Sequence, residues 1–83
     1  MSDNIELINT SSLTALVAHK SLSATAKPCR DQFMNGYFLH VTDGTQHWVA
    51  STYLSDKVKH YKKAEALLKD AKQIGFTQVI FEL

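Results

Sequence analysis

Of 83 residues, one is cysteine, one proline and three glycine, and each scarcity closes off a class of protein. A lone thiol, Cys29, cannot build the internal disulfide framework on which small secreted domains rely, so a reducing cytoplasm is the expected compartment. Three scattered glycines cannot form a phosphate-cradling loop or a dinucleotide fingerprint. No serine lies in a Gly-x-Ser-x-Gly turn, and Cys29 has no local base to activate it. The eight carboxylates are spread singly, with no pair placed for hydrolysis. Neither Cys-x-x-Cys nor His-x-x-x-His occurs, the spacings that gather zinc ligands. No apolar run approaches the roughly 18 residues of a membrane span, and residues 1–6 lack the basic and apolar regions of a signal peptide. Asn9-Thr10-Ser11 matches the glycosylation sequon, a chance match in a chain that is not exported. The expectation is a non-catalytic protein without cofactor, metal or membrane association.

What is present is ordinary for a globular chain. Hydrophobic residues make up 45% and charged residues 20%, enough apolar surface to offset chain entropy. The length suits a single domain over 1–83, one that buries about two-thirds of its unfolded surface and therefore has a thin core. A composition shift near residue 36 separates an N-terminal helix and connector, 1–35, from a meander–helix–strand unit, 36–83.

In the first part, Ile5, Leu7 and Ile8 suit a short strand. Asn9, Thr10, Ser11 and Ser12 are all N-cap types, and Leu13, Leu16, Val17 and Lys20 follow at helical spacing, which predicts a helix over about 12–24. Pro28 and the restriction it places on Lys27 break any helix there. Residues 29–35 read as a connector, with Phe33 and Met34 as anchors into the core.

In the second part, 37–42 and 46–54 are rich in aromatic and β-branched residues, and Asp43-Gly44 between them suits a two-residue type I′ turn. That register sets His40 opposite His47, Leu39 opposite Trp48 and Tyr37 opposite Ala50. A turn at Ser55-Asp56 then returns 57–62 as a third strand, with Ser51 opposite His60. Alternation gives one face Tyr37, Leu39, Val41, Trp48, Ala50 and Tyr61, the more apolar set, which is assigned to a helix. The other face holds Phe38, His40, His47, Val49, Ser51, Tyr53, Val58 and His60. From Lys62 to Ile74 the apolar residues fall at 64, 67, 68, 71 and 74, one stripe of a 3.6-residue period. Gly75 supplies a left-handed cap on which Phe76 folds back. Residues 77–83 alternate as a closing strand, expected to run parallel to the third strand and to the first. A second reading merges 55–75 into one long helix, with Val58 and Tyr61 extending its apolar stripe. The predicted class is α+β: an N-terminal helix, then β-β-β-α-β.

Net charge is +1, but it is unevenly placed. Lys57, Lys59, Lys62 and Lys63 crowd around His60 and Tyr61, and Lys69 continues the charge along the helix. Basic side chains beside aromatic rings can track a phosphate backbone while a ring stacks on a base. Against this stand a single arginine and a pI of 7.9, where dedicated nucleic-acid domains exceed about 9. Lysines also protect a sheet edge without any ligand. His40 and His47 fall short of the three or four ligands zinc requires. The face carrying Phe38, Val49, Tyr53 and Val58 is too apolar to be left in water; the N-terminal helix or another chain must cover it. The terminal strand offers an edge for pairing across a two-fold axis. The reading is a small accessory or regulatory protein acting through protein–protein contact, with a homodimer as one form. Nucleic-acid binding through the lysines is the alternative.

Overall fold

Five extended segments and two helices follow one another in the computed structural model, which describes residues 5–31, 34–52 and 57–82. In chain order they are β1 (Ile5–Asn9), α1 (Thr10–His19), β2 (Ser23–Asp31), β3 (Met34–Thr42), β4 (His47–Ser51), α2 (Ala64–Ile74) and β5 (Val79–Phe81). The strands form one mixed sheet in the order β1-β4-β3-β2-β5. β2, β3 and β4 make an antiparallel meander; β1 adds parallel to β4 and β5 adds parallel to β2. Both crossovers, β1–α1–β2 and β4–α2–β5, carry the chain three positions across the sheet in the same direction. Their helices lie on one face, where Leu13, Leu67, Ala71 and Ile74 enter a common core with Leu39, Val41, Trp48 and Ala50. The predicted class, an α+β chain with an N-terminal helix, a three-stranded meander, a second helix and a closing strand, is the class observed.

The strands that make the meander are not the three that the sequence predicts. β2 occupies the stretch read as the end of a helix and a connector. Its inward residues are Ala24 and Ala26, both buried, small side chains whose modest strand propensity hides their alternation with Thr25 and Lys27. Pro28 is tolerated because Ala26 turns its carbonyl to Glu82, on the β5 side. Pro28, two residues on, aims its nitrogen to that same side, where β5 has already ended and no ladder bond is forfeited. Phe33 lies outside the described residues, and Met34 begins β3 instead of closing a connector. α1 correspondingly spans 10–19, with the Asn9 side chain accepting from the Ser12 N–H at 2.8 Å as its N-cap.

Between β3 and β4 the connection is a four-residue loop, not a two-residue turn. The Asp43 carboxylate accepts from the N–H groups of Thr45 and Gln46 at 2.8 and 2.7 Å. The Thr42 hydroxyl donates to the Gln46 carbonyl at 2.8 Å and accepts from Gly44 N–H at 3.0 Å. These side-chain bonds favour the wider loop over a bare Asp-Gly turn. The register becomes Thr42 with His47, Val41 with Trp48 and His40 with Val49. This is a slip of two residues from the predicted pairing, and an even slip leaves every side chain on its predicted face.

The predicted third strand is reduced to a wedge. β3 and β4 pair only as far as His40 and Val49, and residues 57–61 enter the gap beyond. Val58 bridges Ser51 on one side, and Tyr61 bridges Tyr37 on the other. Lys59 N–H donates to the Ala50 carbonyl at 3.0 Å, and Tyr37 and Tyr61 exchange two backbone bonds of 2.8 Å. Ser51 thus meets Val58, not His60. The wedge ends at a glycine for steric reasons: a Cβ on Gly36 would sit 2.3 Å from the Tyr61 carbonyl oxygen. The Tyr61 ring enters the core, its hydroxyl donates to Asp70 on α2, and Lys59 pairs with the same carboxylate at 2.9 Å.

α2 starts at Ala64, so the reading of one long helix over 55–75 does not hold. Gly75 (φ 126°) closes it, and both Gly75 and Phe76 donate to the Ala71 carbonyl, at 3.1 and 3.0 Å, which folds Phe76 into the core. Because α2 leaves from β4 and not from a third strand, the crossover delivers β5 parallel to β4 and β2, and so antiparallel to β3.

Candidate interaction surface

With α1 and α2 on one side, the other face of the sheet carries no helix among the described residues. The N-terminal helix expected as a cover for Phe38, Val49 and Val58 packs on the opposite face, beside α2. Register places one row across the helix-free face: Leu7, Val49, His40, Thr25 and Ile80. A second row holds Ile5, His47, Thr42 and Ser23. Apolar exposure concentrates at the two edges, with Ile5 at 54%, Leu7 at 37% and Ile80 at 55% of full accessibility.

The predicted partner residues fall differently. Val49 is buried, Phe38 and Val58 are half-buried, and Tyr53 lies outside the described residues. The exposed residues on β1 and β5 were visible in the sequence as alternating positions. Their place at sheet edges follows only from the crossover topology, which no local pattern reports.

At the centre of this face His40 and His47 meet. His40 Nε2 and His47 Nδ1 are 3.2 Å apart, one donating and the other accepting, and the rings stack at 5.1 Å with 29° between planes. Burial, the Lys27 charge and the neighbouring His47 hold the His40 imidazole below its ordinary pKa, opposed by Glu82. His40 is therefore neutral near pH 7. Among the described residues no third histidine, cysteine or carboxylate joins it in a ligand cluster.

The lysines separate. Lys59 is spent internally, bonded to Asp70 and lying 5.3 Å above the Tyr61 ring. Burial alone would raise the Asp70 carboxyl, but the Tyr61 hydroxyl and Lys59 outweigh it and hold Asp70 below the usual range. Burial and Asp70 together push the Tyr61 phenol up. Lys57, Lys62, Lys63 and Lys69 are exposed, the first three in and just after the wedge and the last on α2. Only Lys69 stands on a helix, and none of the four lies on β1 or β5.

A groove of about 570 Å³ runs between α2 and β5, lined by Leu68, Ala71, Lys72, Phe76 and Val79 among others. Leu68 and Phe81 are exposed beside it. No described helix is long and apolar enough to cross a membrane. No protein-family model, no curated protein and no solved structure matches this chain.

Proposed function

We propose that the protein is a non-catalytic accessory or regulatory module of a reducing cytoplasm that acts by protein–protein contact through the edges of its helix-free sheet. The observation that supports this reading is the collection of Ile5, Leu7 and Ile80, all exposed, on the one sheet face no helix covers. Apolar side chains gathered on one face in this way are a common mark of a contact surface. Among the described residues no strand pairs with the outer side of β1 or β5, and such an edge can accept another strand.

Light scattering combined with affinity capture tests the reading, comparing the native chain with Leu7→Asp and Ile80→Asp variants whose circular dichroism is unchanged. The expected result is a self-associated species, or a captured protein, that one of the variants loses. A chain that stays monomeric and captures nothing refutes it. A gel shift that weakens with salt, and again in a Lys62→Glu, Lys63→Glu double variant, would favour nucleic acid instead.

A further inference from the structure

Two edges bound the sheet, and they differ in protection. β1 carries Glu6, an exposed charge of the kind that discourages edge pairing. β5 carries none: Val79, Ile80 and Phe81 are all apolar, with Ile80 exposed on the helix-free face and Phe81 exposed on the helix side. Three consecutive apolar residues at an edge that no described strand covers call for a partner.

Backbone direction settles which groups are offered. Glu82 N–H donates inward to the Ala26 carbonyl at 3.0 Å, so by alternation Ile80 also turns inward, and Val79 and Phe81 turn their N–H and C=O groups outward. A second β5 strand, antiparallel across a two-fold axis, meets this pattern in a register centred on Ile80. Val79 then lies opposite Phe81 of the other copy, and each such pair exchanges two hydrogen bonds. Ile80 lies opposite itself as a non-hydrogen-bonded pair, where side chains approach most closely.

Side chains fit the same axis. On the helix-free face Ile80 packs on its own copy, and Gln78 comes opposite Glu82, so an amide meets a carboxylate and no like charges oppose one another. On the helix side each Phe81 is brought next to the other copy's Val79, which lines the groove with Leu68 and Phe76. That is a self-complementary knob and hole, the requirement of an isologous interface.

Resting on the protein-contact reading, we propose that the partner is a second copy of this chain, joined β5 to β5 into a continuous ten-stranded sheet with its dyad at Ile80. The seam is short, so the dimer is expected to be weak and to form only as concentration rises.

The test uses matched cysteines in a Cys29→Ser background. Ile80→Cys places two thiols at the dyad, about 4.5 Å between Cα atoms, within disulfide reach. Ile5→Cys is its control, since Ile5 and Ile80 are equally exposed, at 54% and 55%. Mild oxidation should convert the Ile80→Cys protein to a covalent dimer and leave the Ile5→Cys protein monomeric. Sedimentation should show mass rising to a dimer with concentration, and Val79→Pro, which removes an outward N–H and trims the groove that receives Phe81, should abolish it while circular dichroism stays native. A monomer at every concentration overturns the dimer, and capture of a different protein in that case leaves the protein-contact reading standing. Cross-linking through Ile5→Cys alone overturns the β5 axis while keeping self-association. A monomer that captures nothing fails both.

Discussion

Replacing Gly36 by alanine puts a methyl carbon where the Tyr61 carbonyl oxygen now lies 2.3 Å away, with the Lys62 Cα at 3.2 Å. Both neighbours are backbone, so no side-chain rotation relieves the overlap. Either β3 shifts or the wedge withdraws, and the wedge is the weaker partner because it is held by isolated bridges. Its withdrawal forfeits the two 2.8 Å bonds between Tyr37 and Tyr61, each with a net worth of about 1 kcal/mol. Holding a residue with a Cβ at φ +147° costs about 1–2 kcal/mol more. The total is about 3–4 kcal/mol, a large share of the roughly 5–15 kcal/mol that holds such a protein folded. Gly44→Ala is the control. It too has positive φ, at +101°, but a Cβ there meets nothing within 4 Å, so only the backbone term of about 1–2 kcal/mol applies. Urea unfolding of the two variants, followed by Trp48 fluorescence, should separate their midpoints by about 1 M or more. Equal midpoints would refute the idea that the wedge presses on Gly36.

Tyr61→Phe removes the donor to Asp70 without changing ring volume and should cost about 1–2 kcal/mol in the same urea assay. Asp43 is held at a pKa of about 2, chiefly by the Gln46 and Thr45 N–H groups with help from Lys20. Its stabilisation is complete above the unfolded value near 4 and is lost as pH falls towards 2. Asp43→Asn, which keeps the acceptor oxygen, should flatten that part of a stability–pH profile. His40 is also depressed, so stability should begin to fall as pH drops below the unfolded value of about 6.5, and His40→Gln should remove that step.

Much of the fold was legible because periodicity is robust to errors of register. Tyr37, Leu39, Val41, Trp48, Ala50 and Tyr61 were assigned to the helix side and all lie there, although the hairpin slipped by two residues, because side chains keep their face under an even slip. The stripe of α2 and its Gly75 cap are local, and local signals survive. β2 was hidden because its core positions are alanines and its tail contains Pro28. Both argue against a strand until a neighbour covers one side and an edge frees the other. The wedge was half seen: residues 57–61 are extended, but their place between β3 and β4 goes with the Tyr61–Asp70–Lys59 cluster, which ties the wedge to α2 and which no local pattern reports. At the surface, the lysine cluster drew attention by density alone, whereas Ile5, Leu7 and Ile80 gained meaning only from edge positions set by the crossovers.

Those crossovers bear on how the chain acquires its shape. Among the described residues β1 pairs with β4 alone, from Ile5 with His47 to Asn9 with Ser51, and β5 with β2 alone, as in Thr25 with Ile80. Each outer strand therefore waits for a segment some 40 to 55 residues distant, and neither half of the chain contains both strands of an outer pair. Loop closure must come before the reward, a topology that slows folding relative to a hairpin-only protein of this size. On a ribosome the β2–β3–β4 meander is the first part that can assemble, while β1 and α1, made earlier, have no sheet to join until residue 51 has emerged.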